Sequence, residues 1–145
     1  MKNILLAIDF DVDHSHMLSY AIEQSKAFSA KVWVLHIAAP DPDFVGNDAG
    51  PKYVREELAD ELRQEHKEIQ EMAEEMRSNG AEAEALLIQG PTVETLMNEV
   101  ERLDADMMIL GFHQHSLLQE LITGSTTYDI LKKTKVPVLV IPPKK

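Results

Sequence analysis

Five short runs of nearly continuous apolar residues recur along the chain: Asn3–Asp9, Lys31–Ile37, Glu84–Gln89, Asp106–Gly111 and Val136–Ile141. Each is of strand length. Unbroken hydrophobicity, as opposed to strict alternation, is what a sheet covered on both faces demands. The segments between them carry the longer period of helices. Asp13 and Ser15 suit the start of the first helix, which places Met17, Leu18, Ala21, Ile22 and Phe28 on its buried side. In the second, Tyr53, Val54, Leu58, Leu62, Ile69, Met72, Ala73 and Met76 form one apolar stripe on a strongly charged helix. That stripe breaks at Glu65-His66, which predicts partial exposure of the middle, and Asn79-Gly80 supplies a stop.

Gly90-Pro91 ends the third strand, and Thr92 opens a helix with Val93, Leu96, Met97, Val100 and Leu103 facing inward. The last helix is expected from about Ser125 to Lys133, with Lys132, Lys133 and Lys135 near its carboxyl end, where they suit the helix dipole. Pro, Gly, Asn and Asp crowd into Ala39–Pro51, which reads as a long flexible connection. Strands alternating with helices imply right-handed crossovers. The expected architecture is therefore α/β, a three-layer sandwich with a doubly wound, five-stranded parallel sheet.

A length of 145 residues fits one domain, 1–145, able to bury roughly 70% of its unfolded surface. The absence of cysteine removes thiol catalysis, iron–sulfur clusters and cysteine-bound zinc. A net charge of -11 opposes binding to nucleic acid, whose phosphates call for a basic face. No apolar run is long enough to span a membrane and no secretory signal opens the chain, so the expected location is cytoplasmic.

In doubly wound sheets ligands bind beyond the carboxyl ends of the strands, where strand order reverses. Asp9-Phe10-Asp11, His36-Ile37-Ala38, Gln89-Gly90-Pro91 and Leu110-Gly111-Phe112-His113 leave the strands on that rim. Gly124-Ser125-Thr126-Thr127 stands just ahead of the last helix, where exposed N–H groups, hydroxyls and the positive end of the dipole favour an anion. An ordinary helix cap explains the same four residues without a ligand.

With these residues the chain resembles the universal stress proteins. Nucleotide-binding members of that family carry glycine, two residues, glycine, nine residues and then Gly-Ser/Thr between the fourth strand and the last helix. Here Gly111 takes the first place, His115–Thr123 the spacer and Gly124-Ser125 the end, while Gln114 stands where the second glycine falls. Ile4–Asp9, Val34–Ile37 and Val136–Pro142 resemble the family's first, second and last strands. The fold implied is Rossmann-like, of the adenine nucleotide alpha hydrolase type. The resemblance implies an ATP or other adenine-nucleotide site, with Mg²⁺ on the nucleotide. Asp9 would lie near the adenosine, Ile37 would touch adenine through its main chain, Leu110 and Gly111 would line the pocket, and Gly124, Ser125, Thr126 and Thr127 would hold phosphates. Gln114 either fills part of that space or donates hydrogen bonds to phosphate. A homodimer through Val136–Ile141 is implied as well, and an apolar strand at a sheet edge invites such pairing.

The pairs His14/His16 and His113/His115, near Asp9, Asp11 and Asp13, suggest a metal, yet nothing fixes their geometry and no metal site is assigned. His36 reads as a core or rim histidine, and Met72, Met76, Met97, Met107 and Met108 as core. The chain contains no P-loop, no dinucleotide-binding glycine motif after the first strand and no Gly-x-Ser-x-Gly elbow. The expected function is a stress-response sensor or regulator that binds an adenine nucleotide, with at most slow hydrolysis. The alternatives are an interaction module of the same fold that binds no nucleotide, and a phosphate-chemistry enzyme using His113 or His115.

Overall fold

The computed structural model describes residues 1–10, 14–38, 52–111 and 126–142. Strands β1 (Asn3–Ala7), β2 (Lys31–Ala38), β3 (Glu82–Gln89), β4 (Met107–Gly111) and β5 (Val138–Ile141) form one parallel sheet in the order β3-β2-β1-β4-β5. Helices α1 (Ser15–Phe28), α2 (Lys52–Ser78), α3 (Thr92–Arg102) and α4 (Thr126–Lys133) lie between the strands in the chain. The expected α/β fold with its five-stranded parallel sheet is therefore what the chain adopts.

Alternate residues of the central strands feed two cores, one on each face. Ile4, Leu6, Val32, Val34 and Ile109 pack with Met17, Leu18 and Ala21 of α1 and Ile69, Met72, Ala73 and Met76 of α2. Leu5, Leu35, Met108 and Leu110 pack with Leu96 of α3 and Ile130 of α4. Because β1 and β4 are covered on both faces, Ile4, Leu5, Leu6, Met108 and Ile109 are completely buried. That is why these strands read as unbroken apolar runs.

The helices stop by a shared device. After α2, Ala81 N donates to Met76 O and Gly80 N to Arg77 O, with Gly80 at φ 88, a conformation glycine adopts without strain. After α3, Ala105 N donates to Val100 O and Asp104 N to Glu101 O around Asp104 at φ 50. Ser29 plays that part after α1, with Ala30 N on Ser25 O. Each reversal feeds the chain straight into the next strand.

Several local expectations are corrected. Phe28 is 49% exposed, because α1 ends there, where the chain reverses into β2 at the amino edge of the sheet. Ser15 is the first residue of α1, and His14 occupies the cap position without a side-chain cap bond. The break at Glu65-His66 is half-buried, in line with the partial exposure expected there, and Glu65 Oε2 lies 2.9 Å from His36 Nε2. Among the described side chains of α4, Ile130 alone is buried, and the apolar Tyr128 and Leu131 are exposed. Asp13 and residues 39–51 lie outside the described residues.

At the amino edge the Asp106 carboxylate accepts from Lys2 N at 2.7 Å and Asn3 N at 3.0 Å. These two amide bonds, that to Lys2 first, hold its pKa below the usual carboxylate value. This tether stands at the end of the sheet away from the candidate site.

Candidate functional site

Strands β2 and β3 continue from β1 on one side, and β4 and β5 occupy the other. The order therefore reverses between β1 and β4, which is where a crevice opens at the carboxyl ends. Asp9 follows β1 and is exposed, and Gly111 ends β4, paired with Ile141 of β5. The two residues flank the switch point from opposite sides.

The end of β1 is held by β2. Ile8 N donates to Leu35 O at 2.8 Å, and the Ile8 carbonyl accepts from His36 Nδ1 at 2.8 Å. Phe10, half-buried against the α1/α2 core, sets its ring edgewise on His36 with centroids 4.5 Å apart. On its other side Phe10 meets the His14 ring at 6.5 Å. Ile37, half-buried, pairs with Ile88 and packs with the α3/α4 core. Leu110 is buried in that same core.

Gly111 has a reason to be glycine apart from any ligand. A Cβ there would stand 2.8 Å from Met17 Sδ, and Met17 is buried on α1. A side chain at this position would thus be directed toward α1, the face opposite the one that Leu110 supplies. Of the phosphate-binding candidates, Thr126 begins α4 and Thr127 is half-buried in its first turn. Gln114, Gly124 and Ser125 lie outside the described residues, as do Asp11, His113 and His115. Among the described residues no three His, Asp or Glu side chains are grouped so as to hold a metal. The sequence had offered the histidine pairs and nearby aspartates for such a role without assigning a site. Instead His16 Nδ1 lies 3.2 Å from the Pro142 carbonyl, and the His16 ring packs on Tyr20.

The features not anticipated are the Phe10 ring, Met17 against Gly111, and the partner of His36. The last had a visible signal, since Glu65 falls one helical step from Leu62 and from Ile69, at a stripe position where an apolar residue was due.

The profile describing the universal stress protein family matches residues 1–142. This chain belongs to that family. Universal stress protein YxiE of Bacillus subtilis is 24% identical, over 97% of this chain and 98% of its own length. Universal stress protein MJ0531 of Methanocaldococcus jannaschii is 26% identical, over 99% of this chain and 84% of its own. Among solved structures, the protein MJ0577 superimposes with a TM-score of 0.68 at 27% identity, covering 99% of this chain and 97% of that one. A universal stress protein in complex with cAMP gives 0.68 at 19% identity, covering 99% and 98%. That of Archaeoglobus fulgidus in complex with dAMP gives 0.62 at 19%, covering 97% and 98%. These last two likenesses establish the universal stress fold. Among the described residues no helix is long and apolar enough to cross a membrane.

Proposed function

We propose that this universal stress domain binds an adenine nucleotide, ATP or a relative of it, in the crevice between β1 and β4, and alters its partner interactions accordingly as a stress-response regulator. The observation that carries this reading is the reversal of strand order between β1 and β4, with Asp9 and Gly111 on its two sides. Family membership supports it, as do the adenine nucleotides named for two solved relatives. In this reading the Asp9 carboxylate accepts from sugar or base donors. The Ile37 main chain meets adenine, and Leu110 with the Gly111 main chain forms the wall. Gly124, Ser125, Thr126 and Thr127 present amides and hydroxyls to phosphate at the start of α4, and Mg²⁺ enters only as the nucleotide's counter-ion. Gln114, where the family's second glycine falls, either obstructs the phosphates or donates to them.

Nucleotide at 100 times its Kd is expected to stabilise the folded chain by about 2.7 kcal/mol, read as a concentration-dependent rise in Tm with ATP, ADP or AMP. Gln114→Gly should tighten binding. Weaker binding in that variant makes Gln114 a ligand, whereas no shift with any of the three at millimolar concentration sinks the nucleotide site.

A second reading, an interaction module acting as a homodimer, rests on the two sheet edges. At β3, Glu82 and Glu84 are exposed, and Arg77 on α2 donates from Nη1 to the Ala83 carbonyl at 2.7 Å. Charge and a filled acceptor guard that edge against pairing. At β5, Val138, Leu139 and Val140 are half-buried apolar residues on the opposite edge. We therefore place the interface at Val136–Ile141. Sedimentation equilibrium at micromolar concentration should give twice the chain mass, and Val140→Lys should reduce it to one. A monomeric native chain refutes the pairing.

A further inference from the structure

His36 makes two contacts of different kinds. Its Nδ1 lies 2.8 Å from the Ile8 carbonyl, which only accepts, so Nδ1 carries a hydrogen. Its Nε2 lies 2.9 Å from Glu65 Oε2 in the middle of α2. That carboxylate oxygen is buried and makes no hydrogen bond of good geometry among the described residues, the approach of His36 Nε2 included. A bare Nε2 facing an ionised carboxylate at this distance would set lone pair against lone pair. One hydrogen between the two atoms resolves the conflict, whether it sits on nitrogen as an imidazolium–carboxylate pair or on oxygen as a carboxylic acid facing neutral imidazole. Phe10 covers the ring from the side of the β1 exit.

We propose that His36 and Glu65 share one proton and through it clamp helix α2 to the carboxyl end of β1, which makes His36 the positioning residue for Asp9. The clamp closes on the carbonyl immediately before Asp9, and the same peptide is fixed from the other side by Ile8 N on Leu35 O. Residue 9 thus leaves the sheet from a point anchored through both backbone groups of Ile8. Glu65 is charged or acidic at a stripe position because an apolar side chain there would leave the His36 Nε2 half-buried without a partner. The clamp stands on the contacts alone, while its effect on a ligand rests on the nucleotide reading above.

Three measurements on the full chain test it. In the imidazole ¹⁵N spectrum of wild type, either Nε2 is protonated or the Glu65 carboxyl carbon shows the acid form. An unprotonated Nε2 beside an ionised Glu65 overturns the shared proton. In native-state hydrogen exchange the Ile8 amide should exchange about tenfold faster in Glu65→Leu and within about twofold of wild type in Glu65→Gln. The glutamine amide donates to neutral Nε2 and restores the link without the shared proton. Unchanged exchange in Glu65→Leu overturns the clamp. With ATP, ADP or AMP as probe, Glu65→Leu should raise Kd about tenfold and Glu65→Gln should not. An unchanged Kd in Glu65→Leu removes the positioning role. If wild type binds none of the three, the nucleotide reading fails while the spectrum and the exchange still decide the clamp.

Discussion

Ile109→Ala is expected to destabilise the chain toward the upper part of the range of about 2–5 kcal/mol seen for such truncations. Ile109 has no exposed surface and sits on β4 between Leu6 of β1 and Leu139 of β5. It belongs to the core in which α1 and α2 cover the sheet. The size of the effect depends on how far the surroundings collapse into the space left behind. Here they have little freedom, because the backbone on both sides is fixed by the parallel ladder, and Leu6 beside it and Met17 of α1 in the same core are themselves buried. Urea unfolding should show a lower midpoint with an unchanged slope, and Tm should fall by about 10 °C at roughly 2–4 °C per kcal/mol. Leu131→Ala, at a side chain 47% exposed on α4, is the control and should stay within about 0.5 kcal/mol. A loss below about 1 kcal/mol for Ile109→Ala would mean that the two cores repack far more freely than their burial indicates.

The same burial explains which parts of the fold were legible in the sequence. Strands covered on both faces must be apolar at every position, so Ile4–Leu6 and Met107–Leu110 stand out without any alternation to decode. Strand ends were less legible, because hydrophobicity outlasts pairing: Ile8 remains buried after β1 has ended at Ala7, and Val136 is half-buried before β5 begins at Val138. Phe28 has the right angular position for the core, and only the end of the helix exposes it. Angular position says nothing of how far the facing sheet extends.

The candidate site was legible in outline, since the α/β pattern alone directs attention to the carboxyl rim, and Asp9 and Gly111 do flank the switch point. What stayed hidden was pairwise. His36 looked like an isolated rim histidine and Glu65 like a flaw in an apolar stripe, and each accounts for the other only once β2 and α2 are in contact. A charge in a helix's buried stripe and a polar residue in a buried strand are both costly alone, so two such anomalies in one chain are candidates for each other. Sequence separation conceals the partnership, and the register of packing reveals it.

Gly111→Val should cost stability in the upper part of the range of about 1–3 kcal/mol, and Met17→Ala should recover much of it. The first methyl already meets Met17 Sδ at 2.8 Å, and the two further carbons of valine have only the buried α1 face to enter. Met17→Ala alone opens a cavity and is itself destabilising. The double variant fills that cavity from the opposite wall, so the two substitutions should couple favourably by at least about 1 kcal/mol in a double-mutant cycle. The cycle also separates two reasons for glycine at this position. Leu110 supplies the α3/α4 face, so a valine at 111 is directed away from the start of α4. Nucleotide affinity should therefore be lost in Gly111→Val through displacement of the strand end, and should return with stability once Met17 is shortened. If stability returns while affinity does not, the ligand itself requires the absence of a side chain at residue 111. If neither returns, the contact between Met17 and the end of β4 does not set the identity of residue 111.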